Sequence, residues 1–167
     1  YLIFLYRSNY KSIEELSTKE LRLAGLRINP KTNIGSRITY YNNIKLKDFN
    51  DSKADPKKIV GMPKNPKISN LSWSPNEKMI AFTNTTDLGV ELWILNLKSN
   101  SANKVFDLKL NSNIGNVINW FADSNSLLVK VIPKDKMDLI ESTNVVPSGP
   151  TISSNFGEKA QNRTYQD

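Results

Sequence analysis

The chain has 167 residues, carries 23 Lys and Arg against 16 Asp and Glu for a formal charge of +7, and contains neither His nor Cys. Its length suits one ordinary domain, and the missing residue types exclude Ser-His-Asp, Cys-His and His-metal chemistry, a thiolate nucleophile, a disulfide framework and a zinc ribbon built from this chain alone. The positive charge is mostly Lys interleaved with Asn and acidic residues, which argues against a nucleic-acid partner, and no segment approaches the roughly 18–20 apolar residues of a membrane span.

The opening run YLIFLY, residues 1–6, reads as a strand rather than a signal segment. Residues 8–36 then read as an insertion. Within it SIEELSTKELRLAGL carries two S-x-x-E capping boxes, Ser12 with Glu15 and Ser17 with Glu20, so helical turns are expected there. Strand patterning returns over residues 37–46, with Ile38, Tyr40, Ile44 and Leu46 assigned to one face, and over residues 58–60. The Lys-rich stretch 56–67 around that short run is broken by Pro56, Pro63 and Pro66 and reads as a solvated edge loop.

From residue 68 the chain repeats itself. WSPNEKMIAF at 73–82 aligns without a gap on WFADSNSLLV at 120–129, an offset of 47 residues that places Trp73 over Trp120. Each copy is an apolar strand ending in Trp, a polar turn and a second apolar strand, which is a β-hairpin pattern. Strands are predicted over 68–73, 79–83, 90–97 and 104–108, and a third unit stops after its second strand near Val129. Residues 133–167 read as a second insertion without periodicity, expected to be an extended loop.

Four short strands every 40–50 residues is the pattern of a propeller blade. The predicted fold is therefore all-β: a partial β-propeller of four-stranded antiparallel blades with a short helical insertion. Fewer than four blades fit in 167 residues, whereas closed rings have about four to eight. The expectation is an incomplete segment whose first blade lacks its first strand and whose exposed edges need the remainder of a ring.

Other candidate chemistry is thin. S-x-x-K occurs at Ser8–Lys11 and at Ser101–Lys104 without its companion motifs. Asp48, Asp51 and Asp55, and Asp135, Asp138 and Glu141, lack the spacing of a calcium loop. Glycosylation sequons at Asn50, Asn70, Asn84 and Asn162 have meaning only in a secretory pathway. No metal or other cofactor is expected.

The segment WSPNEKMIAF resembles the W-S-P-D-G-K-x-I-A-F repeat of TolB-like propellers and of prolyl oligopeptidase superfamily propellers, with Asn76-Glu77 in place of Asp-Gly, a change expected to blunt the turn. Three stretches, SIEELSTKELRLAGLRINPKTN at 12–33 with SRITYY at 36–41, the WSP blade, and VVPSGPTISSN with the closing NRTYQD at 145–167, resemble in that order the N-terminal propeller of the glutamyl endopeptidase branch of that superfamily, found in bacteria and plant plastids. The resemblance implies a serine peptidase whose propeller gates peptide entry to a C-terminal α/β-hydrolase domain. The G-x-S-x-G elbow, acid and His of such a domain are absent here, so no catalytic residue is carried over.

The implied partners are the rest of the propeller, that hydrolase domain and a peptide substrate, with no nucleic acid and no membrane span. Bacterial relatives imply a periplasmic or secreted setting and plant relatives a plastid. A preference for Glu calls for a guanidinium fork facing the substrate carboxylate, and Arg22, Arg27 and Arg37 around the insertion are the candidates. The rival reading is a TolB-like protein-binding propeller with no hydrolase. A basic binding protein whose nucleic-acid affinity falls steeply with salt is a third.

Overall fold

A computed structural model describes residues 1–51, 53–136 and 156–157. The chain divides into two compact units, Tyr1–Ile132 and Pro133–Asp167. Every assigned element belongs to the first, and the expected loop over 133–167 lies mostly outside the described residues. In chain order the elements are β1 (Leu2–Tyr6), α1 (Ile13–Leu16), β2 (Leu21–Leu23), β3 (Leu26–Asn29), β4 (Ile34–Gly35), β5 (Asn43–Lys47), β6 (Lys57–Lys58), β7 (Ile68–Trp73), β8 (Met79–Thr86), β9 (Gly89–Asn96), β10 (Ser101–Lys104), β11 (Ile118–Trp120) and β12 (Leu127–Val129).

These strands form antiparallel sheets in the orders β1-β5-β6, β2-β3-β4, β10-β9-β8-β7 and β11-β12. The fold is all-β, and none of the sheets closes on itself. The complete four-stranded sheet runs up and down in sequence order, and its register pairs Ile80 with Leu95 and Phe82 with Trp93. Both faces of this sheet are covered. On one, Ile80, Phe82 and Leu95 pack with Ile44 and Leu46 of β5. On the other, Ala81, Val90 and Leu92 pack with Val117 and Ile118. Burial on two faces explains why MIAF and VELWIL are almost unbroken apolar runs.

The two copies of the repeat are the hairpins β7–β8 and β11–β12, and the backbone bonds of their turns correspond. Ser74 N donates to Met79 O and Glu77 N to Ser74 O; 47 residues on, Phe121 N donates to Ser126 O and Ser124 N to Phe121 O. An Asx side chain holds each turn: Asn76 Oδ1 accepts from Lys78 N, and Asp123 Oδ1 from Asn125 N. Glu77 and Ser124 then take left-handed backbone, with φ of 56° and 59°. Glu77 does not blunt the turn, because Ser74 Oγ accepts from Met79 N and donates to Asn76 Oδ1, fixing both sides of the loop.

Several boundaries differ from expectation. The box at Ser12 forms, with Ser12 Oγ accepting from Glu15 N and Glu15 returning a bond to Ser12 N, but it caps a single turn. The box at Ser17 caps nothing: LRLAGLRI becomes the β2–β3 hairpin, turning on Ala24 and Gly25 with φ of 47° and 79°. A two-residue turn with both φ positive matches the twist of antiparallel strands.

Ile38 and Tyr40 do not share a face with Ile44 and Leu46. Tyr41 exchanges backbone bonds with Ile68, so β5 starts only at Asn43, and the two pairs enter different core clusters. The fourth strand of the complete sheet is Ser101–Lys104 rather than 104–108. Asn96 Oδ1 accepts from Ser99 N, and Asn100 takes φ of 51°, which turns the chain early and puts Ala102 into the core.

Candidate functional site: an arginine cluster beside a basic cleft

Arg22 and Arg27 are directly opposed across the β2–β3 hairpin, a placement that like charge disfavours. Glu20, just before β2, relieves it. Glu20 Oε1 lies 3.4 Å from Arg22 Nε and accepts from Arg27 Nη1 at 2.7 Å, while Oε2 accepts from Ser36 Oγ at 2.7 Å and from Arg37 Nε at 3.4 Å. The Ser36 hydroxyl, then the Arg37 and Arg27 guanidiniums, hold the carboxyl down at about 2 against the opposing effect of burial. The three arginines named from sequence are thus brought together on one carboxylate that is 15% exposed, while their own side chains remain largely in solvent. Three cations on one anion leave a local surplus of positive charge.

Ser36 also lines a cleft of about 620 Å³ whose walls include Lys11, Lys19, Lys31 and Lys67 against Glu14, Glu15 and Asp87. A second recess of about 530 Å³ shares Lys11, Glu15, Ile38, Tyr40 and Lys67 and extends the surface to Arg7 and Tyr10. Burial pushes the Tyr40 phenol upward in pKa, so it remains a neutral donor at physiological pH. Thr32 Oγ1, in the wall of the larger cleft, is buried with no partner among the described residues. Charged forks beside a cleft with neutral hydroxyls are suited to holding a carboxylate-bearing chain.

Several of the remaining candidates are engaged elsewhere. Ser8 Oγ accepts from Asn42 Nδ2, Ser101 Oγ shares a hydrogen bond with Ser99, and Lys104 Nζ pairs with Asp107 at 2.5 Å. Asp48 and Asp51 accept from backbone amides of their own loop. Asp138 and Glu141 lie outside the described residues. Among the described residues no trio of Asp, Glu, Cys or His is placed to hold a metal ion, and no helix is long and apolar enough to cross a membrane.

Glu20 and Ser36 were missed in the sequence reading, which spent Glu20 on a capping box. The signal was the LRLAGLRI pattern itself: two alternating triplets around Ala-Gly make a hairpin that opposes Arg22 to Arg27 and calls for a neighbouring anion.

The chain is similar to two curated plant proteins, each called probable glutamyl endopeptidase, chloroplastic. The protein from Oryza sativa subsp. japonica is 30% identical over 178 aligned residues, and that from Arabidopsis thaliana is 30% identical over 177. Each alignment takes in 99% of this chain but only 19% and 18% of the respective relatives, so the chain spans about one fifth of their length. No protein-family model and no solved structure matches it.

Proposed function

We infer that this chain is a non-catalytic propeller segment of a glutamyl-endopeptidase-like serine peptidase, and that it gates peptide access to a hydrolase domain lying outside residues 1–167. The observation that carries the reading is an alignment that runs through 99% of the chain to proteins of that name. The repeated Trp-turn hairpins and the stacking of successive small sheets through two apolar interfaces support the propeller. The non-catalytic role follows from a sequence with no His and no G-x-S-x-G, which cannot supply a nucleophile elbow or its base.

The test is to label the full-length polypeptide with a serine-directed fluorophosphonate and map the modified residue, alongside cleavage of a Glu-containing peptide. The expected result is peptidase activity with the label outside residues 1–167. A label within them, or no peptidase activity at all, overturns the reading; the second outcome would favour a protein-binding propeller.

Within this reading the guanidinium surplus at Glu20 faces acidic substrate. Of the three arginines Arg27 holds the shortest contact to Glu20, so Arg27→Ala changes both the free charge and the setting of its neighbours. The variant is expected to lower the ratio of cleavage at Glu over Gln substrates. An unchanged ratio removes Arg27 from substrate recognition.

A further inference from the structure

We propose that the cleft between the inserted β2-β3-β4 sheet and the β8–β9 turn binds an extended acidic peptide segment, a stretch of substrate remote from the bond that is cut. The proposal rests on the peptidase reading for its occupant and deepens it by naming the substrate class. It starts from four lysines that reach one cleft from four places in the chain. Lys11 precedes the capped turn of α1 and Lys19 follows it. Lys31 lies in the β3–β4 turn, where Asn29 Oδ1 accepts from Lys31 N at 3.0 Å and from Thr32 N at 3.3 Å and so fixes the turn. Lys67 is anchored beside the end of β8, its N–H donating to Asn84 Oδ1 and its carbonyl accepting from Thr85 N.

None of these four ammoniums has an ion-pair partner among the described residues, although Glu14, Glu15 and Asp87 line the same walls. Elsewhere converging cations are answered: Glu20 takes three arginines, and Glu91 takes Lys104 and Lys109. A second observation points the same way. Thr32 is 6% exposed, and its Oγ1 is buried without a partner among the described residues, in the wall of this cleft. Such a hydroxyl has lost its water and gained nothing in return, which a bound polar group corrects. Ser36 joins the cleft to the arginine cluster, because it lines the one and donates to Glu20 in the other.

Shape and charge select the occupant. The adjoining recess shares Lys11, Tyr40 and Lys67 with the cleft and prolongs it, so the surface is a groove longer than a compact anion needs. Pro30, Ile38 and Tyr40 supply apolar wall for side-chain stems. A nucleic-acid backbone, negative at every step, would meet Glu14, Glu15 and Asp87 without relief. A peptide instead turns amide N–H groups to those carboxylates and its own carboxylates to the lysines.

The test uses the full-length polypeptide treated with fluorophosphonate, so that binding is read without turnover and away from the reacting centre. A fluorescein-labelled hexapeptide of alternating Glu and Ala is titrated by anisotropy at low ionic strength, beside its Gln counterpart. The Glu peptide is expected to bind about tenfold more tightly than the Gln peptide. Lys31→Glu and Lys67→Glu are expected to weaken it about fivefold or more and Thr32→Val about threefold, whereas Lys57→Glu, an equal charge change on β6, alters it less than about twofold. Lys31→Gln and Lys67→Gln replace any reversal that lowers the melting temperature. Equal binding of the two peptides, cleft variants that bind no more weakly than Lys57→Glu, or tighter binding of a single-stranded oligonucleotide overturns the proposal. A missing label or absent peptidase activity counts against the peptidase reading alone, and the titration reads the cleft all the same.

Discussion

Glu20 shows how much one side chain can organise. Its carboxyl is held at about 2, below the ordinary 4.5, first by the Ser36 hydroxyl and then by the Arg37 and Arg27 guanidiniums. A depressed carboxyl contributes stability that is complete above its unfolded value and disappears as pH falls through the folded one. The β2–β3 hairpin is therefore expected to loosen between about pH 4.5 and 2, and Glu20→Gln to remove that dependence. Amide exchange of Arg22 and Arg27 across this range would show it, and identical profiles in both proteins would contradict it. At Glu77 the sign reverses. A non-glycine residue with φ of 56° carries about 1–2 kcal/mol of strain, while glycine costs about 0.4–1 kcal/mol through unfolded-state entropy. Glu77→Gly is expected to raise the chain's stability by roughly 0.5–1 kcal/mol in thermal melts, and a lowered melting temperature would refute this.

Among the elements, those buried on both faces were the most legible. β7 matches its predicted span because ISNLSW ends at a Trp and a Ser-Pro turn, and β8 and β9 differ from prediction by only a few terminal residues. The 47-residue offset was readable because the turn chemistry repeats along with the apolar runs. What sequence did not expose was decided by contacts distant in the chain. β10 is built from the polar SANK because Val60 and Ala102 bond across sheets, with Ala102 N donating to Val60 O at 2.8 Å. VFDL, the more apolar candidate, keeps one backbone bond to β9, from Val105 N to Leu92 O, and then leaves the sheet. The Arg cluster was half legible: its cations were named, but the hairpin that opposes them was read as helix. The same inter-sheet contact makes Gly61 irreplaceable. Its φ is +77°, and an added Cβ would lie 2.5 Å from Ala102 O. Gly61→Ala is expected to destabilise the chain by more than about 1 kcal/mol, measured by urea unfolding; an unchanged midpoint would mean that the two sheets do not depend on this approach.

For the molecule as a whole, the informative feature is where apolar surface remains uncovered. Besides single exposed residues such as Tyr10, Phe49 and Leu88, it includes four residues of β1 with Trp73, and Phe121, Leu128 and Val131 around the last hairpin. A ring of blades would cover both groups by continuing the interfaces already built between β5, β8 and β11. The most direct measurement is an experimental structure of the full-length polypeptide. The expected result is a closed ring in which the β7–β8 to β11–β12 relation, with Trp120 Nε1 donating to Ser72 O, recurs from blade to blade. A structure in which the sheets do not continue into a ring would contradict it.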